Sequence, residues 1–124
     1  MSLADRVTQM EQAVGSGDWD AARPFLHPQI RYTVGGRPTV TGIAALRDYM
    51  EHQLTQVRWV GHEVRMVVET EDTAIIEVVS LFERRSDGAP LRLPCTDIYR
   101  FEDDLIADWR VYADLQVIGV SSGR

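Results

Sequence analysis

The chain has 124 residues, of which 44% are hydrophobic, enough for one domain with a true core and too apolar for a disordered segment. A formal net charge of -6 and a pI near 4.9 argue against nucleic acid and anionic membrane as partners, because both recruit clustered positive charge. No apolar run approaches the ~20 residues of a membrane span, and the N-terminus lacks the charged-then-apolar order of a signal peptide, so a cytoplasmic location is expected.

The first helix is expected after Ser2 or Asp5 as cap, with Leu3, Val7, Met10 and Val14 at helical spacing and Gly15 and Gly17 stopping it. Asp18 caps a second helical piece over residues 19–26, which Pro24 splits into two turns by removing a backbone donor. His27-Pro28 closes that piece, and residues 30–34 read as a short strand ended by Gly35-Gly36. Thr41-Gly42 opens a third helix, in which Ile43, Leu46, Met50 and Leu54 share one face.

From there the chain reads as strands. Residues 56–69 form a long one whose alternation changes phase: Val57 and Trp59 fall on one parity, and Val60, His62, Val64, Met66 and Val68 on the other. A bulge near Gly61 accounts for the change, and the side on which His62 falls depends on it. Residues 73–85 follow, and Asp87-Gly88 is a hairpin signal. Two further strands are joined by an acidic turn at Glu102-Asp103-Asp104. The first starts at Pro94 and sets Cys95, Asp97, Tyr99 and Phe101 on one face; the second sets Trp109, Val111, Ala113 and Leu115 on one face and Asp108, Arg110, Tyr112 and Asp114 on the other. Three helices followed by a four-strand meander are an α+β pattern. The domain is expected over residues 1–120, with 121–124 as a flexible tail.

Some chemistry is excluded by absent residue types. All 13 basic residues are arginine and the chain has neither lysine nor asparagine. That removes a lysine Schiff base, a phosphate-loop lysine and any N-glycosylation acceptor, and no cofactor is expected. One cysteine, Cys95, forms no internal disulfide and reads as a small buried apolar residue. His27, His52 and His62 are scattered, with no two on one helical face or at a strand's i, i+2, so no metal site is expected.

Gly17-Asp18-Trp19-Asp20 after the first helix, Thr41-Gly42-Ile43-Ala44-Ala45-Leu46 opening the third, and Asp97-Ile98-Tyr99-Arg100-Phe101 through Trp109-Arg110-Val111-Tyr112 together resemble the NTF2-like superfamily. Within it the chain is similar to the SnoaL-like and ketosteroid-isomerase-like branch. The resemblance implies a cone: three N-terminal helices packed on a strongly curved, mainly antiparallel sheet around an apolar pocket, often dimerising through the sheet's outer face. It also implies a proton-transfer enzyme or a binding module, since the fold hosts both. Asp97 falls on the protonated aspartic acid of ketosteroid isomerase, which serves as a general example of a raised carboxyl pKa. The general base and oxyanion-hole tyrosine of that enzyme fall on Thr33 and Met10. Against limonene epoxide hydrolase, Tyr32 matches the water-positioning tyrosine, but the catalytic arginine and aspartates fall on Val78, Ser80 and Val111, so that mechanism is not expected. Scytalone dehydratase places a pocket histidine near Trp59, where the nearest is His62.

Asp97 is the sharpest candidate, because a carboxyl facing apolar side chains becomes an acid, base or hydrogen-bond donor near neutral pH. An ion pair with an arginine at the pocket mouth, or a hydrogen bond to a helix end, is its structural alternative. Tyr32 and His62 are its expected partners in catalysis. Tyr99, Trp109, Trp59, Ser80, Phe82 and Met50 are the expected ligand-binding set. The expected ligand is an apolar, oxygen-bearing small molecule, converted by a cofactor-free isomerase, cyclase or dehydratase; the alternatives are a non-catalytic binding module or an adaptor using the outer face as a homodimer does. A cone closed by Trp109 and Met66 favours the adaptor. An open one with a second polar group in reach of Asp97 favours the enzyme.

Overall fold

The computed structural model describes residues 1–118; the tail expected at 121–124 lies outside them. Helix α1 spans Leu3–Gly15 and begins in a capping box, in which the Ser2 hydroxyl accepts from the Asp5 N–H at 3.0 Å and the Asp5 carboxylate from the Ser2 N–H at 3.1 Å. Its stripe of Val7, Met10 and Val14 is buried. Gly15 ends the helix against a tight neighbour: a Cβ added there would lie 2.1 Å from the ring of Trp59. Helix α2 is one turn, Trp19–Ala22, capped by Asp18, and Pro24 turns its continuation into a 3-10 turn over Arg23–Phe25. Helix α3 covers Ile43–Gln53 and buries Ile43 and Leu46.

Six strands follow the order β2-β1-β6-β5-β4-β3 in one open sheet. They are β1 Leu26–Val34, β2 Val40–Thr41, β3 Val57–Glu69, β4 Thr73–Arg84, β5 Pro90–Glu102 and β6 Leu105–Ala113. Every neighbouring pair is antiparallel except β1 and β6. Helix α1 packs against β3 and β4, and α3 against β1, which covers the inner face. The turn between β5 and β6 puts Asp103 at φ 51° and Asp104 at φ 64°, the double left-handed geometry of a tight hairpin, which aspartate tolerates better than most residues.

Two boundaries and the phase of one strand differ from the sequence reading. Strand β1 begins at Leu26, so His27-Pro28 lies within it; the pairing shifts between Leu26 and Arg31, and the irregularity relieves Pro28 of a ladder hydrogen bond it has no N–H to make. Strand β5 begins at Pro90, because the inward alternation runs back through Leu93 and Leu91 across Pro94. The third difference is in β3. Trp59 pairs with Phe82 and Gly61 with Leu81, leaving Val60 as an extra residue, which is the bulge expected near Gly61. A second bulge, not expected, leaves Arg65 unpaired between Val64 and Met66. The first brings His62 onto the inner face with Trp59, their rings 5.1 Å apart edge to face. The second carries Met66 and Val68 to the outer face, where both are exposed, so Met66 does not close the cone.

Candidate functional site

Between the helices and the inner face lies an open-mouthed cavity of about 100 Å³. Helix α1 contributes Glu11, Val14 and Gly15 to it, and α3 contributes Met50, Gln53 and Leu54. The sheet side carries Tyr32, Trp59, His62, Ser80, Phe82, Asp97 and Trp109, with Leu93, Cys95 and Val111 between them. Eight of the nine residues singled out from the sequence therefore meet in one cavity. Tyr99 does not line it: the side chain, fully buried two residues on from Asp97 on the same strand face, lines a smaller cavity beside it with Glu11 and His62.

Asp97 is the most unusual group in this wall. It is 7% exposed, and among the described residues no arginine pairs with it. Asp108, the other buried aspartate, accepts from Arg31 at 2.9 Å and from Arg110 at 3.3 Å on the polar face. Asp97 Oδ2 instead accepts from the Trp109 indole N–H at 3.3 Å and lies 2.9 Å from the Tyr99 hydroxyl. Its Oδ1 is buried with no hydrogen-bond partner among the described residues. Burial first, and then the charge of Glu11, hold its carboxyl well above the ordinary range, while the Trp109 N–H pulls the other way.

Glu11 is the residue that sequence reasoning missed. One Oε1 hydrogen-bonds with the Tyr99 hydroxyl, and Oε2 lies 3.0 Å from His62 Nε2. Asp97, Tyr99, Glu11 and His62 are thus one connected chain of side chains across the cavity wall. The signal was available: Glu11 stands four residues after Val7 and three before Val14, a charge inside the apolar stripe of α1.

Tyr32 is held between Trp109 and Tyr49, with ring centroids at 4.8 and 5.4 Å in edge-on contact. Its hydroxyl makes no hydrogen bond among the described residues and burial, followed by Asp97, pushes its pKa well up, so it remains a donor. The Gln53 carbonyl oxygen, at the α3 side, is also without a partner among the described residues. The Cys95 thiol, in line with Ser80 at 3.9 Å, is pushed up to about 12 by burial and by Asp97, which leaves it protonated and not nucleophilic. Among the described residues no three His, Cys, Asp or Glu side chains gather as a metal site, and no helix is long and apolar enough to cross a membrane.

Residues 7–109 match the family of SnoaL-like domains. No protein of curated function matches the chain in sequence. Among solved structures, a candidate isomerase from Rhodopseudomonas palustris superposes with a TM-score of 0.81 at 13% identity, over 95% of this chain and 93% of that one. A candidate polyketide cyclase from Pseudomonas putida gives 0.79 at 18% identity, over 94% of each chain. An epoxide hydrolase from M. tuberculosis gives 0.75 at 14% identity, over 94% of this chain and 85% of that one. At such identities the likeness is one of fold, and the fold is NTF2-like.

Proposed function

The chain belongs to the SnoaL-like family, and we propose that within it the protein is a cofactor-independent enzyme of isomerase, cyclase or dehydratase type that moves a proton on a compact, apolar, oxygen-bearing substrate. The observation that carries this reading is Asp97 Oδ1, a buried and unpartnered oxygen of a carboxyl in the wall of an open cavity. Leaving such an atom unmatched costs about 1–3 kcal/mol, which a ligand group bonded to it recovers. Tyr32 supplies the donor for a ligand oxygen, and Asp97 exchanges the proton.

Substrate size follows from the cavity. At about 100 Å³ it is smaller than the ~300–1,000 Å³ of clefts that swallow drug-sized ligands, so the reacting part is one ring or its equivalent. Epoxide hydrolysis of the limonene type finds no support, since Val78, Ser80 and Val111 stand where that enzyme has its charged triad. We place the protein in the cytoplasm as a homodimer joined through the outer face of the sheet, where Tyr112 and Val68 are exposed beside half-buried Ile75, Leu81 and Ile98.

Affinity for single-ring phenols of rising acidity, measured by calorimetry in wild type and Asp97→Asn, tests the reading. Wild-type affinity is expected to rise with acidity and to fall about 10- to 100-fold in the variant, the worth of a hydrogen bond to a charged group. Absence of binding to either protein overturns it.

A further inference from the structure

A buried carboxyl that already holds a proton is a poor base unless that proton has somewhere to go. We propose that Glu11 is that destination: a proton lifted from a ligand onto Asp97 Oδ1 is matched by one passed from Asp97 Oδ2 through the Tyr99 hydroxyl to Glu11 Oε1. This rests on the ligand-binding reading given above.

The geometry requires the arrangement step by step. The Tyr99 hydroxyl has one hydrogen and stands within hydrogen-bonding distance of two carboxyl oxygens, Asp97 Oδ2 at 2.9 Å and Glu11 Oε1. Both contacts are attractive only if one carboxyl carries a proton and donates to Tyr99 while Tyr99 donates to the other. Glu11 Oε2 also lies 3.0 Å from His62 Nε2, a nitrogen able to donate to it, which makes Glu11 the acceptor end and Asp97 the donor end. The resting order is Asp97 Oδ2–H to Tyr99, Tyr99 O–H to Glu11, and His62 N–H to Glu11. Asp97 Oδ1 is then a buried carbonyl-type oxygen with no hydrogen-bond partner among the described residues, on a residue that lines the cavity.

When a ligand X–H gives its proton to Oδ1, the Oδ1–H bond forms and X keeps the electron pair. The Oδ2–H bond breaks as Tyr99 takes that proton, and the Tyr99 O–H bond breaks as Glu11 takes the next. Asp97 is neutral before and after. It now presents an O–H to the anion it has made, and the reverse shift returns a proton to the same ligand at the same or another atom. Net charge within the site is unchanged, because the negative charge that Glu11 loses is the one the ligand gains, and no co-reactant is needed. The ligand class is therefore one whose product is an isomer: a single-ring carbonyl compound with an enolisable hydrogen. Glu11 and Tyr99 are positioning residues in this scheme, acting through Asp97.

The test uses 4-nitrophenol, whose ionisation is visible, at a pH below its own pKa. Wild type is expected to bind it as the phenolate, read by absorbance, with no proton released to solvent, read from the heat of binding in two buffers of different ionisation enthalpy. In Glu11→Gln and in Tyr99→Phe these two results no longer occur together: the ligand binds either as neutral phenol or as phenolate with one proton released. Phenolate formed without release in either variant overturns the relay, as does release, or neutral binding, in wild type. The ligand-free protein provides an independent reading. A protonated-carboxyl band in the infrared at neutral pH is expected in wild type and Glu11→Gln and is lost in Asp97→Asn; its absence from wild type overturns the relay whether or not nitrophenol binds. A band with no nitrophenol binding to wild type overturns the ligand-pocket reading, and this inference falls with it.

Discussion

A carboxyl that keeps its proton inside an apolar wall makes the fold sensitive to pH. Asp97 is held well above its ordinary value of 3.8, mainly by burial and next by Glu11. The folded state thus binds a proton that the unfolded chain has lost, so the contribution of Asp97 to stability is complete below that pH and drains away as pH climbs toward the folded value. Asp97→Asn is expected to flatten that dependence and to be the more stable protein in mild alkali, as denaturant unfolding across pH will read. A second residue-scale consequence concerns Gly15. With an added Cβ 2.1 Å from the Trp59 ring, Gly15→Ala is expected to cost about 1–3 kcal/mol in the same unfolding assay and to shift tryptophan fluorescence as that ring is displaced. Asp97 was legible because strand alternation places it among Cys95, Tyr99 and Phe101. Gly15 and Glu11 were not, because a close approach between α1 and β3, and a bond from α1 to Tyr99, are long-range facts with only faint local signatures.

The element that decides the site is β3. Its alternation breaks at Gly61, and the single extra residue Val60 is what turns His62 inward to Glu11. Gly61 itself sits at φ 149°, a conformation that side chains disfavour. Deleting Val60 leaves Trp59, Gly61 and His62 in unbroken alternation and keeps His62 on the face of Trp59, since residues i and i+2 of a strand share a face. The deletion variant is expected to keep its overall circular dichroism and the edge-to-face contact of His62 with Trp59, read as retained ring-current shifts of the His62 imidazole in NMR. The same element marks the limit of pattern reading. One bulge is readable as a change of parity. A second, five residues on, restores the parity in a run of valines where both faces look alike, so Met66 and Val68 could be assigned to the wrong side.

On the scale of the whole molecule, the helix–helix–helix–meander order was readable from caps, stripes and turns, and with it the α+β class. The parallel pairing of β1 with β6 and the two-residue β2 were not, because neither leaves a local pattern. What the sheet presents outward bears on assembly. Tyr112 is 51% exposed, and in register across the sheet it stands level with Thr96, Glu77 and Met66. If this face joins two copies, as proposed, Tyr112→Glu buries an unpaired charge in the interface. Association is expected to weaken by roughly 30-fold or more, the scale of losing a buried aromatic anchor, and sedimentation velocity will show a monomer where wild type is a dimer.

Exchange of the α-hydrogens of cyclohexanone in D₂O, followed by NMR, shows whether this cavity moves protons on a ligand. The account predicts protein-dependent exchange in wild type that falls at least ~100-fold in Asp97→Asn, the size of a positioned acid or base in proton transfer. Exchange no faster with wild-type protein than with buffer, in samples that still bind single-ring phenols, would contradict it and leave a pocket that holds its ligand without changing it.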